Sequence, residues 1–217
     1  MSIMHAKDAH KLPPVTRGFE HINRYWDRRM GLAAAKIMPG QLYVSQHGEM
    51  ISTVLGSCIS ACIRDNVIGV GGMNHFMLPV QKDESRNWGQ CEISSATRYG
   101  NWAMEYLINE IYKMGGSKQN LEVKLFGGGK VLKGLNMADV GRMNADFAYH
   151  YLAEEGLEIV AQDLGDSFPR KVLYFPDTGA VKVRKLKTVR NDTVAQRERA
   201  YIESINEKPA DGSVELF

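Results

Sequence analysis

The sequence predicts an α/β protein of the α+β type: mixed, largely antiparallel sheets with two long helices packed on them, in a single domain. Three observations carry that expectation. Strand-length apolar runs recur between Gln41 and Lys185. Two longer stretches, Cys91–Met114 and Ala138–Glu155, instead repeat apolar residues at helical spacing. The connections between neighbouring strands are short and carry turn residues, as antiparallel neighbours require.

The 217 residues suffice for one domain of ordinary size with extensions and a sizeable core. A hydrophobic content of 44% and a charged content of 24% are those of a soluble globular protein. The net charge of +2 gives no electrostatic argument for a nucleic-acid or membrane partner. No apolar run approaches the roughly 20 residues needed to cross a bilayer. Met1–Pro14 lacks the apolar centre of a secretory signal. Three cysteines do not make a disulfide framework, so the expected location is the cytoplasm, with the thiols reduced.

Residues 1–38 read as an amino-terminal extension. Within it Phe19–Asp27 mixes aromatic and charged residues, a segment expected to pack across the surface or to serve as a partner-binding arm. Pro39-Gly40 opens the compact domain, 39–188. Gln41–Gln46 and Met50–Leu55 are short strands separated by His47-Gly48-Glu49. Ile59–Arg64 and Val70–Met77 form a hairpin turning at Asp65–Ile68. Pro79–Gly89 is a polar loop expected over the site. In the first helix Ala96, Tyr99, Trp102, Tyr106, Leu107 and Ile111 make a core stripe that ends at Gly115-Gly116, with Ser94 or Ser95 as N-cap. Leu121–Phe126 is a strand running into Gly127-Gly128-Gly129-Lys130. The second helix buries Val140, Met143, Phe147, Tyr151 and Leu152 and stops at Gly156. Glu158–Leu164, Arg170–Phe175 and Ala180–Lys185 close the domain. Residues 189–217 form a charged tail, helical on the surface over Asn191–Ile205 and disordered over Lys208–Phe217.

The chemistry concentrates in the hairpin. Cys58 and His75 lie seventeen positions apart. If the turn centres on Asn66 and Val67, cross-strand partners have residue numbers totalling 133, as Cys58 and His75 do. Directly opposed side chains have Cβ atoms roughly 4.5–5.5 Å apart, so sulfur and imidazole meet. A cysteine beside a histidine is the minimum for nucleophilic thiol chemistry, and an imidazolium neighbour would populate the thiolate near neutral pH. Gly56 and Ser57 let the backbone turn tightly, so that amide N–H groups converge on an oxyanion. The hydroxyl of Ser52 or Thr53 is of the kind that orients a catalytic imidazole, although spacing alone favours ordinary strand residues at both positions; neighbouring strand residues face opposite ways, so only one of the two could serve. Cys62 lies about 13 Å further along the strand, and no spacing matches a metal site. The glycine triplet lacks the hydroxyl residue of a phosphate loop; it reads as a close backbone approach beneath Cys58.

Ser52-Thr53-Val54-Leu55-Gly56-Ser57-Cys58 and Gly69–Pro79 together resemble the CheD family of chemoreceptor glutamine deamidases. The similarity continues through Phe126–Gly129, Val140–Asn144, Asp163-Leu164-Gly165 and Thr178–Val183. It implies hydrolysis of glutamine side-chain amides in methyl-accepting chemotaxis receptors, on their cytoplasmic helical bundle, to glutamate and ammonia. It also implies Cys58 as nucleophile, His75 as base and no cofactor or metal. The family's third residue, a threonine, falls on Ser52, with Thr53 adjacent. Asp166–Arg170 departs from the glycine-rich turn of the family. The alternative implied role is a non-catalytic adaptor that binds receptors or regulates a CheC-type phosphatase.

Overall fold

Arg170–Phe175 alternates fully buried with half-buried side chains, residue by residue, as a strand with one face on a core must. Ile59–Asp65 buries six of its seven residues, the pattern of a strand covered on both faces. These two strands typify the two layers of the molecule. The computed structural model describes residues 12–79, 95–131, 140–187 and 192–207.

One sheet contains β1 (Asn23–Asp27), β2 (Leu32–Lys36), β4 (Met50–Leu55), β9 (Arg170–Phe175) and β10 (Ala180–Lys185), in the order β1-β2-β4-β9-β10. The other contains β3 (Leu42–Ser45), β5 (Ile59–Asp65), β6 (Gly71–Asn74), β7 (Leu121–Gly127) and β8 (Ile159–Leu164), in the order β3-β6-β5-β7-β8. Pairing is antiparallel except for β2–β4 and β7–β8. Helix α1 (Ser95–Lys113) packs on β3, β5 and β6, and α2 (Val140–Glu154) packs on β5. A third helix, α3, spans Asp192–Glu207. Ile51, Leu55, Val172 and Tyr174 of the first sheet share one apolar core with Ile59, Ile63, Val123 and Leu125 of the second. The α+β class and mixed, mainly antiparallel sheets are therefore as the sequence predicts, and three strands, β4, β9 and β10, have the predicted bounds.

Two features differ from expectation. The amino-terminal segment does not lie across the domain as an appendage. It supplies β1 and β2, Phe19 and Ile22 are buried in the core, and β2 pairs in parallel with β4. Its strands escape detection because Asn-Arg-Tyr-Trp-Asp and Leu-Ala-Ala-Ala-Lys lack strict alternation. The hairpin register also differs. Cys62 faces Met73 and Ile59 bridges Phe76, so partner numbers total 135 rather than 133. The turn is longer than the expected pair: Asp65 N–H donates to Val70 O, and the Asp65 carboxylate accepts from the amides of Val67 and Ile68. Gly69, at φ +71°, closes it.

A slip of one residue would have turned His75 to the opposite face, whereas a slip of two preserves the face. Cys58, Ser60 and His75 remain on one side of the hairpin, Cys58 diagonal to His75 instead of opposite. The loop expected over the site, Pro79–Gly89, lies beyond Pro79 outside the described residues, as do Cys91 and Lys208–Phe217.

Candidate active site

Gly56-Ser57-Cys58 is the three-residue connection by which the chain leaves β4 in one sheet and enters β5 in the other. Every carbonyl of this connection is held from behind. Gly56 O accepts from Gly129 N (2.7 Å), Cys58 O accepts from Gly128 N (2.8 Å), and Ser57 O accepts from Asn144 Nδ2 (2.9 Å). Asn144, wholly buried on α2, also accepts from Leu78 N at 2.9 Å, tying the end of the hairpin to the same point. The glycine triplet makes this possible. A Cβ on Gly127, at φ +116°, would sit 2.1 Å from Cys58 O. The expectation of close backbone approach beneath Cys58 matches this geometry.

With the carbonyls committed on one side, the three amides point together on the other. They converge on the carboxylate of Glu198 of α3. Gly56 N donates to Oε1 at 2.9 Å and Cys58 N to the same oxygen at 3.4 Å, while Ser57 N (3.1 Å) and Ser57 Oγ (2.7 Å) donate to Oε2. Three successive N–H groups aimed at one point form a concave anion cradle of the kind that stabilises an oxyanion.

His75 is 2% exposed. Its Nδ1 lies 2.7 Å from Thr53 Oγ1, and that hydroxyl donates to Ile37 O at 2.9 Å. A hydroxyl has a single hydrogen. With it given to Ile37, the Thr53 oxygen accepts from His75, which places the imidazole hydrogen on Nδ1 and leaves Nε2 with its lone pair. Nε2 is buried and makes no hydrogen bond among the described residues, so it is not bonded to the Cys58 thiol. Ser52 faces the other way along β4, with its hydroxyl 3.4 Å from both Ala35 O and Tyr25 Oη. The side chain against His75 is thus Thr53, at the position next to the one the resemblance indicates.

Electrostatics run opposite to the expected thiolate–imidazolium pair. Burial raises the pKa of the Cys58 thiol far above its ordinary value, and the Glu198 carboxylate beside it raises it further. Burial pushes His75 down to about 3, and the positive charge of Arg197 on α3 adds to the effect. Both groups are neutral at pH 7 with α3 in place. Cys62 is a free, buried cysteine facing Met73 and takes no part in the cluster.

Asn144 and Glu198 escaped sequence reasoning as site residues. Glu198 had a legible signal: it interrupts the apolar face of α3, four residues after Val194 and four before Ile202, where a carboxylate needs a polar receptor. Asn144 carried none beyond its place on a core-facing helix.

A chain from Halorhodospira halophila named probable chemoreceptor glutamine deamidase CheD is 53% identical over 206 residues, covering 95% of this chain and 94% of its own. This chain belongs to the CheD family. Residues 77–185 match the CheD family model, described as CheD chemotactic sensory transduction. Chains of the same name from Saccharophagus degradans and Hydrogenovibrio crunogenus are 47% and 50% identical. The first spans 95% of this chain and 95% of its own, the second 88% and 97%. The likeness to these CheD proteins runs well beyond the site, through the strands and helices that hold it.

Proposed function

We propose that this protein deamidates glutamine side chains of methyl-accepting chemotaxis receptors, with Cys58 as nucleophile, His75 as proton carrier and Thr53 as the residue that positions His75. The observation that carries the reading is the convergence of the Gly56, Ser57 and Cys58 amides on one anion beside a thiol. A tetrahedral oxyanion formed at a glutamine carbonyl requires that arrangement. The names of the CheD relatives, chemoreceptor glutamine deamidases, supply the substrate class.

The chemistry follows from the protonation states. As Cys58 Sγ attacks the side-chain carbonyl carbon, its proton passes to the free Nε2 of His75, and the carbonyl oxygen takes its negative charge into the three amides. Collapse of the intermediate breaks the C–N bond, and the Nε2 proton leaves with ammonia. Water then gives a proton to Nε2 and attacks the thioester; the proton returns to sulfur as glutamate departs. The Thr53 oxygen, able only to accept, keeps the ring in the one tautomer that serves each step. We place the protein in the cytoplasm, with the receptors' helical bundle as substrate. No helix among the described residues is long and apolar enough to cross a membrane.

Peptide mass mapping of a receptor incubated with the parent chain, Cys58→Ala and His75→Ala tests the proposal. Glutamines should become glutamates with the parent only, ammonia appearing in equal amount. Receptor glutamines left intact by the parent, or converted equally by Cys58→Ala, would overturn it. Binding that persists without ammonia from the parent would favour an adaptor or a regulator of a CheC-type phosphatase.

A further inference from the structure

The anion cradle is already filled by this chain's own carboxylate. Glu198 is 2% exposed, and its oxygens accept from four N–H and O–H groups of Gly56–Cys58, none of them a cation. The bearing helix is seated to deliver it. Val194, Ile202 and Ile205 bury the same face, and Tyr201 is bonded to Tyr99 of α1 through their hydroxyls. The seat is shaped for these residues. A Cβ on Gly56 would come within 2.6 Å of Glu198 Oε1, and one on Gly40 within 2.7 Å of Tyr201 Oη. The buried Nε2 of His75 has no hydrogen-bond partner among the described residues.

A glutamate side chain is also the product of glutamine deamidation. We propose that α3 is a tethered competitor: Glu198 occupies the cradle as an intramolecular copy of the product side chain, and a substrate glutamine enters only when α3 lifts away. The inference rests on the deamidase reading of the same site. Its chemistry is consistent with a closed resting state. Adjacent residues on one helix present a negative charge to the thiol and a positive charge to the imidazole, each opposing the ionisation that catalysis needs. Because the competitor is tethered, it acts on the fraction of molecules open to substrate. It therefore raises KM and leaves kcat unchanged.

Three readouts on the full-length chain test this. In Glu198→Ala, alkylation of Cys58 by iodoacetamide should accelerate, and KM for receptor deamidation should fall by about tenfold or more at constant kcat. Ile202→Asp, which unseats the helix without altering the cradle, should reproduce both changes and guards against a local defect of the first variant. In Glu198→Gln, the introduced amide lies where a substrate amide would. It should be hydrolysed back to a carboxylate, water in and ammonia out, detectable as the mass of the peptide spanning position 198. The double variant with Cys58→Ala should keep its amide. An amide at 198 that survives beside an intact Cys58, or alkylation rates and KM values equal to the parent's in both Glu198→Ala and Ile202→Asp, would overturn the competitor. Alkylation distinguishes the two readings. Faster labelling and hydrolysis of the amide at 198 without any receptor deamidation retain the competitor and reject the receptor as substrate, whereas receptor deamidation with unchanged KM and labelling does the reverse.

Discussion

Two glutamates are equally hidden in this protein and are held in opposite ways. Glu49, fully buried, meets the guanidinium of Arg24 on β1 at 2.6–2.7 Å, the hydroxyl of Tyr43 at 2.7 Å and that of Ser45 at 3.2 Å. A cation neutralises it, and its partners come from strands formed by the first fifty residues. Glu198 meets amides and a hydroxyl, from a segment about 140 residues away in sequence. Burying a carboxylate is costly unless hydrogen bonds or an opposite charge compensate. Both sites compensate, but only the first does so with a cationic partner that is itself left without its counter-charge, and largely out of water, if the glutamate is removed. Glu49 is a clasp of the fold, whereas Glu198 resembles a ligand that happens to share the chain.

The largest contrast should therefore appear in stability. Glu49→Ala leaves the part-buried Arg24 guanidinium without its carboxylate and should cost about 3–5 kcal/mol, read as a lower urea midpoint. A loss well under that range would mean that Arg24 finds water and that the clasp is dispensable. Asn144→Ala strikes the other site from behind, stranding Ser57 O and Leu78 N. It should cost about 1–3 kcal/mol and loosen the cradle while leaving the Glu49 cluster intact, which amide exchange at Gly56–Cys58 against Arg24–Tyr43 would resolve.

Acid sharpens the difference further. His75 has a folded pKa of about 3 against an ordinary 6.5. Between those values the unfolded chain binds a proton that the folded chain refuses. The contribution of His75 to stability is thus complete above pH 6.5 and declines as pH falls toward 3, by at most about 1.4 kcal/mol per pH unit. His75→Gln should flatten that part of the stability–pH curve, and an unchanged slope would show that the ring is hydrated. The smallest effect belongs to Glu198→Ala. Its amide partners regain water when α3 lifts, so the unfolding midpoint of the domain should shift by less than about 1 kcal/mol. A loss as large as that of Glu49→Ala would make the two carboxylates alike after all.

Sequence reasoning reached the thiol, the imidazole and the face they share because strand periodicity is robust to an error of two residues. It missed the register because the Asp65 side chain, by capping two amides, stabilises a longer turn than Asn66-Val67 suggests. It reached the pair Ser52/Thr53 without deciding between them, since the decision depends on which face of β4 looks toward the hairpin. Thr53 does so, and the carbonyl that fixes its hydroxyl, Ile37 O, lay in the segment read as an extension. The cradle's occupant was out of reach for the same reason: contacts across 140 residues leave no local pattern except a misplaced charge on an apolar face.

The single hydrogen of Thr53 has one further consequence. Its acceptor, Ile37 O, belongs to the residue that follows β2, so the ring's tautomer is wired through the end of an amino-terminal strand. Peel that strand away and the hydroxyl is free to rotate, offering its hydrogen to Nδ1 and forcing the imidazole's own hydrogen onto Nε2, the nitrogen that accepts a proton in the proposed mechanism. Trimming the amino terminus back past residue 37 would then silence the enzyme with every reacting atom still present.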